Sequence, residues 1–199
     1  MSGDLTTLAN LEEYLGLTVP PLTNPPSAAT ESMLSRLISA ASNYMQTWMS
    51  RTIALQSYSE VRNGINGNRI VLKESPIVSV QSLNINGTVV PVRPPLGPGA
   101  SIPPPWGYVN DDISIMLTGY RFCQGYQNIY VVYTAGYATT PPDIEQACID
   151  LIGDWFKYRD RIGKASEGIE GQTISFLNPA ISARALGVMQ TYKRVYPVY

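Results

Sequence analysis

The sequence contains no histidine. That absence removes every His-based general base, every Ser-His or Cys-His nucleophile pair and every His-ligated metal site. Cysteine is nearly as scarce: Cys123 and Cys148 are the only two, too few for a zinc cluster or a disulfide framework. Fourteen Lys and Arg against 15 Asp and Glu leave a formal charge of −1 over 199 residues, without the broad basic field of a dedicated nucleic-acid binder. Charge of either sign is thin, 15% of residues against about 25% in an ordinary soluble domain. No apolar run approaches the roughly 18 residues of a membrane span. The start, Met1-Ser2-Gly3-Asp4-Leu5, lacks the basic residues and apolar stretch of an export signal. The expectation is a protein made and kept in a reducing cytoplasm, with free thiols, no cofactor, no membrane partner and no enzyme activity.

What is present is tyrosine, 13 residues against three Trp and three Phe, together with 16 Gly and 16 Pro. Protein interfaces enrich Tyr and deplete Lys, Glu and Asp, so this balance suits a surface partly covered by partners. A Tyr-rich β-domain has the same composition for a different reason, since aromatic residues favour strands.

Along the chain the period runs helix, sheet, helix. Thr6 to Gly16 reads as a short helix with Leu8, Leu11 and Leu15 on one face and Gly16 as its left-handed stop. Four prolines, Pro20, Pro21, Pro25 and Pro26, make the next segment a rigid connector. Thr30 is the expected N-cap of a long core helix with Glu31 in its first turn. Leu34, Leu37, Ile38, Ala41, Tyr44, Met45 and Trp48 follow at helical spacing to Arg51, a length of about 28 Å.

From Ile53 to Tyr137 the pattern alternates. Ser57–Arg62 leads into the turn Asn63-Gly64-Ile65-Asn66-Gly67, and Arg69–Lys73 returns as a hairpin strand. Pro76 to Ile85, the two-residue hairpin signal Asn86-Gly87 and Thr88 to Val92 come next. Ile113–Leu117 and Ile129–Thr134 complete the sheet. Between Val92 and Ile113, Arg93 to Gly107 holds six prolines and reads as a surface arm. Helix resumes at Thr140-Pro141-Pro142-Asp143, read as a capping hydroxyl, prolines in the first turn and an acid on the positive helix end. Its stripe is Ile144, Ala147, Cys148, Leu151, Ile152, Trp155 and Phe156. Gly163 to Gly171 reads as a polar loop and Ile181 to Val195 as a last helix. The fold class is α+β: a helical bundle core of about four helices, residues 1–52 and 138–199, with a mainly antiparallel β subdomain, 53–137, inserted between its halves.

The candidate sites are few. Asp111-Asp112 is a paired-carboxylate motif, but neighbours on a strand face opposite ways, and turns favour Asp. Gly64-Ile65-Asn66-Gly67-Asn68 lacks the Lys-Ser/Thr and the following helix of a phosphate loop; it is expected to be a hairpin turn. Cys148 sits on an apolar stripe with no base beside it, as a core residue would. Lys157, Arg159, Arg161 and Lys164 gather at a helix end. There they offset the helix dipole or form a rim for phosphate or acidic partner surface. After Glu170 the chain has no acid, while Arg184, Lys193 and Arg194 alternate with Tyr192, Tyr196 and Tyr199. Arg and Tyr are the residue types of interface hot spots; a frayed terminus is the alternative.

Three stretches resemble the head-to-tail connector (adaptor) family of tailed double-stranded DNA phages. The first is Leu5-Thr6-Thr7-Leu8-Ala9 to Leu15-Gly16-Leu17, with Leu34–Ser42 running on to Arg51. The second is Leu72-Lys73-Glu74-Ser75-Pro76-Ile77-Val78-Ser79-Val80 with the Asn86-Gly87 hairpin. The third is Tyr133-Thr134-Ala135-Gly136-Tyr137, Pro141–Ala147 and Ser166 to Phe176. They occur in the family's order across nearly the whole chain; the Pro-rich arm at 93–107 is longer than the family pattern.

The resemblance implies a structural virion protein. It would form a ring, usually of twelve copies of itself, beneath the portal protein at the head-tail neck. That ring extends the channel through which packaged double-stranded DNA passes and docks a head-closure or tail-terminator protein. It further implies that Tyr192, Arg194, Tyr196 and Tyr199 reach the portal. Lys157, Arg159, Arg161 and Lys164 become candidates for neighbour or channel contacts. A channel that lets DNA slide is better served by sparse charge than by a phosphate-gripping lining. Two alternatives from other classes stand beside it. One is a small β-rich binding module for carbohydrate or a protein ligand, with Trp106 as a platform. The other is a carboxylate hydrolase in which at least two of Asp111, Asp112, Glu60 and Glu74 converge in one pocket.

Overall fold

Ser27, three residues before the expected cap, decides where the longest helix begins. In the computed structural model, which describes residues 3–17, 27–93, 106–159, 166–169, 172–175 and 181–194, Ser27 Oγ accepts the Thr30 N–H at 3.3 Å. Helix α2 therefore spans Ala28–Met49. Thr30 occupies the third helical position, not the cap: a hydroxyl one turn earlier, in extended backbone, satisfies an orphan N–H that Thr30 could not reach. The helix ends at Ser50, which adopts the left-handed conformation at φ 56°.

Two compact units divide the chain, Met1–Ile53 with Thr140–Arg194 in one and Ala54–Thr139 in the other. In the helical unit, α1 (Leu8–Tyr14) is capped by Thr7 and closed beyond its end by Gly16 at φ +72°. Helix α3 covers Pro142–Tyr158 and α4 covers Ala183–Tyr192. Thr140 does not cap α3; Pro141 takes that position without a side-chain bond. Proline's fixed φ and missing N–H suit a helix start without further help. The buried stripe of α2 is Leu34, Ile38, Ala41, Ser42, Met45 and Met49, and that of α3 includes Ile144, Cys148, Leu151 and Ile152. Tyr44, Trp155 and Phe156, expected in these stripes, lie at their margins. Tyr44 and Trp155 meet edge to face at 6.1 Å, because a ring on the border of an apolar face can pack on one side only.

The β unit holds two sheets where one was expected. The first runs β1 (Gln56–Gly64), β7 (Gly125–Ala135), β3 (Ile77–Ile85), β4 (Thr88–Val89); the second runs β2 (Arg69–Val71), β6 (Ser114–Thr118), β5 (Gly107–Asn110). All their strand pairs are antiparallel. Asn86 (φ 51°) and Gly87 (φ 81°) make the β3–β4 hairpin turn as expected. Gly64–Asn68 is not a hairpin turn. β1 pairs with β7 while β2 pairs with β6, so this segment crosses between sheets. Asn66 N–H donates to the Phe122 carbonyl at 2.8 Å and Phe122 N–H to the Gly67 carbonyl at 2.8 Å. Gly64 is required there: a Cβ would lie 1.7 Å from the Cys123 carbonyl oxygen.

The inner faces of both sheets form one core, with Leu83, Ile115, Leu117, Phe122, Ile129, Val131 and Tyr133 among its members. Most of the Pro-rich arm, 94–105, lies outside the described residues. Its last residue, Gly107, starts a strand, and Val92 bridges Tyr108 in parallel. The expected polar loop 163–171 contains strand β8 (Ser166–Ile169), which pairs with β9 (Gln172–Ser175) in a separate ribbon.

Candidate functional site

Of the residues expected to face a partner, Tyr192 and Arg194 are tied to neighbouring helices, Lys157 and Arg159 are exposed at a helix end, and the rest lie outside the described residues. Tyr192 closes α4, and its hydroxyl donates to Asp143 Oδ1 at 3.0 Å. Its carbonyl accepts from Arg51 at 3.4 Å. Arg194 N–H donates to the Met49 carbonyl at 3.0 Å. Lys193 Nζ sits 5.1 Å from the Trp48 ring centroid, a cation–π arrangement. The segment 192–194 thus clasps the ends of α2 and α3 to α4. Both Tyr192 and Arg194 keep part of their surface in solvent. Tyr196 and Tyr199 lie outside the described residues.

Lys157 is exposed at the end of α3. Arg159 follows it, with its guanidinium 4.0 Å from the Phe156 ring centroid and its Nη1 3.6 Å from the Met33 sulfur. Arg161 and Lys164 lie outside the described residues. The described pair presents positive charge at the negative helix end.

The four carboxylates proposed for hydrolysis do not share one pocket among the described residues. Asp111 lies 3.9 Å from Arg69 and accepts from Ser114 Oγ at 3.4 Å. Asp112 is exposed. Glu60 is 6% exposed; it pairs with Arg62 and accepts from Tyr133 Oη at 2.9 Å and from Lys73 N–H at 3.2 Å. Glu74 approaches the same phenol through its backbone, its N–H donating to Tyr133 Oη at 3.2 Å. Burial, then the Glu60 charge and hydrogen bond, push the Tyr133 phenol far above its usual range. This network went unread in the sequence, although Tyr58, Glu60 and Arg62 share one strand face and so signal a charged pair on the core side.

A pocket of about 400 Å³ opens in the β unit, lined in part by Val61, Arg62, Ile65, Arg69, Phe122 and Tyr126. Among the described residues no acid lines it, and its cations are Arg62 and Arg69. Trp106 is 45% exposed, but it meets Tyr120 edge to face at 83°, which does not make a flat stacking platform. Cys148 is fully buried. Desolvation pushes its thiol up to about 11, so it stays protonated and inert at neutral pH. No helix among the described residues is long and apolar enough to cross a membrane. Among those residues no cluster of three or more acids or cysteines could hold a metal.

The fold has close counterparts in assembled particles. No curated protein matches the sequence. Among solved structures, the neck of an empty gene transfer agent particle, computed with C6 symmetry, contains a chain that aligns with 98% of this one and 93% of its own length. The TM-score is 0.58 at 17% identity. A chain from the virion of the native gene transfer agent particle aligns over the same shares, with a TM-score of 0.55 at 13% identity. At these identities the likeness is one of fold. The sequence itself matches the family model for head completion protein over residues 4–195. That match takes in both units of the fold, and with it the chain belongs to the head completion protein family, structural connectors of the phage head-to-tail junction.

Proposed function

We propose that this chain assembles into a ring of twelve beneath the portal, lengthens the channel for packaged double-stranded DNA and docks the head-closure or tail-terminator protein. The observation that carries this reading is the family match over 4–195 on a fold found in a particle neck. The six-fold symmetry of that neck divides a ring of twelve without remainder. A charge fraction of 15% supports a channel wall that DNA passes without being held. The place of action is the virion neck, after synthesis in the host cytoplasm.

The test is to mix purified protein with its cognate portal and image the product. A ring of copies on the portal vertex is expected, and the absence of one at any protein ratio refutes the role. Tyr196 and Tyr199 are proposed portal contacts, with Tyr192 and Arg194 holding the segment that leads to them. Deleting 195–199 is therefore expected to weaken portal binding while the protein melts as before. Cutting at 192 also removes the bonds to Asp143 and Met49 and lowers the melting temperature. Full portal binding by the 195–199 deletion overturns the tail assignment. Lys157, Arg159, Arg161 and Lys164 are proposed to meet a neighbour or the channel. Replacing all four by Gln is expected to leave the fold intact and slow assembly.

A further inference from the structure

The β unit has two outer faces, and they differ. Strands β3, β4 and β7 contain no charged residue, and β1 contains only Glu60 and Arg62, which pair with each other on the inner side. The outer side of this sheet is therefore uncharged from edge to edge. Register places Val61 opposite Tyr130 and Asn84 opposite Val89 on it. Val61 is 49% exposed, Tyr130 43% and Val89 65%, with Ser59 and Val132 paired alongside. On the second sheet, Ile70, Tyr108, Ile115 and Leu117 point to the core. The outer row is then Arg69, Met116 and Val109, matched across the strands. Met116 and Val109 are both more than 40% exposed, while Arg69 bonds Ser114 Oγ at 2.9 Å and faces Asp111.

We infer that the β units of neighbouring copies stack front to back, the uncharged face around Val61 and Tyr130 of one copy covering the Met116–Val109 row of the next. This rests on the ring reading above and names the surfaces that close it. The occupant is a second copy because both faces ask for one. The face itself carries no cation for DNA phosphates and no counter-ion for a charged protein, and the arginines that share a pocket with Val61 are engaged, Arg62 with Glu60 and Arg69 with Ser114 and Asp111. The Met116 row is locally neutral, since its arginine is already engaged with Ser114 and Asp111. A rotationally closed ring uses two different patches on every subunit, and the two sheets supply two on opposite sides of one core. Three long strands give the uncharged face roughly 14 Å by 30 Å, or ~420 Å². That is about half of the ~800 Å² per partner found in stable pairs. The contact is thus weak between two free copies and gains by repetition around a closed ring.

Cross-linking decides it, using the full chain in necks assembled on cognate portal. In a Cys123→Ser background, which removes the exposed thiol, the double variant Tyr130→Cys/Val109→Cys is treated with a short bismaleimide. A ladder of covalent multimers extending beyond the dimer is expected, with monomer alone from either single variant. Dimer from a single variant indicates a face-to-face contact and overturns the inference, as does the absence of a ladder from the double variant in intact rings. As a second measurement, Tyr130→Asp and Met116→Asp are each expected to abolish ring formation while melting like the parent. Mixed together they are expected to form no ring either, because each pair has one intact junction and no chain of junctions can close. If Tyr130→Asp blocks incorporation while the double variant gives no ladder, the face binds a different molecule and the inference falls. If the wild-type chain makes no ring on portal, the ring reading itself has failed, a result visible in the micrographs before any cross-link is scored.

Discussion

Replacing Glu60 by Ala tests whether the β unit is organised around the buried ion pair of Glu60 and Arg62. The substitution removes the charge facing Arg62, the acceptor for Tyr133 Oη and the acceptor for Lys73 N–H. Breaking a buried pair by deleting one partner costs about 3–5 kcal/mol. Arg62 retains 20% side-chain exposure and can turn part of its charge to water, which lowers the figure to roughly 2–4 kcal/mol. For a chain of this size each kcal/mol moves the melting temperature by about 2–4 °C, so a drop on the order of 4–16 °C is expected. Glu60→Gln keeps the shape and an acceptor and loses only charge assistance, about 1–2 kcal/mol.

The assay is calorimetry of the three proteins, joined by hydrogen exchange at the Lys73 amide, whose protection depends on the Glu60 carboxylate. Tyr133→Phe completes a double-mutant cycle with Glu60→Ala. A fall of less than about 2 °C for Glu60→Ala refutes the reasoning. So does equal damage from Gln and Ala, or a Tyr133→Phe cost that is the same with and without Glu60.

Three further outcomes follow from local geometry. Gly64→Ala drives a Cβ to within 1.7 Å of the Cys123 carbonyl and forces the backbone apart; a loss of about 2–4 kcal/mol is expected by denaturant titration, and a change under ~0.5 kcal/mol contradicts the close approach. Native protein at pH 8 should titrate one fast thiol with a disulfide reagent, Cys123, while Cys148, fully buried and raised to about 11, reacts only on unfolding; two fast thiols refute this. The phenols of Tyr133, Tyr108 and Tyr14 are all held above the ordinary value of 10.0, Tyr133 and Tyr108 chiefly by burial and Tyr14 chiefly by its bond to Asp150. Their contribution is therefore complete below pH 10 and is lost as pH rises toward their folded values. Stability should begin to fall near pH 10, and Tyr133→Phe should flatten that fall; an equal slope in the variant removes Tyr133 as its cause.

The helices were legible because burial writes a 3.6-residue period into the sequence. Leu34, Ile38, Ala41 and Met45 occupy the core side of α2 as their spacing requires. Their caps were less so: Ser27, Thr30 and Thr140 are all competent hydroxyls. Which one caps depends on which backbone is extended at the helix start, a property of the preceding chain. The strands were legible one by one, and Asn86-Gly87 fixed its hairpin by local turn chemistry alone. Strand partnership was not, because β1 meets β7 across some seventy residues, and Asn63–Gly67 carries the same residues whether it turns back or crosses to another sheet. Strand β5 escaped because Gly107-Tyr108-Val109-Asn110 is too short to show alternation beside the proline arm. Residue type and the family resemblance point Tyr192 and Arg194 toward a partner and give no sign of the clasp at 192–194. Tyr and Arg serve an inner contact as readily as an outer one, and only the position of Asp143 and Met49 distinguishes them.

Absence of charge has two separate causes here, and they fall in different places. In the cores it follows from desolvation: Glu60 is tolerated only because Arg62, Tyr133 and a backbone amide surround it. On the outer face of the β1-β7-β3-β4 sheet no such penalty operates, since Val61, Tyr130 and Val89 stand in water in the single chain. A solvated sheet face ordinarily carries Lys, Glu or Arg, which keep a sheet from associating. Strands β3, β4 and β7 have none. On the ring reading proposed above, the desolvation that excludes charge from such a face comes from the next subunit, which covers it.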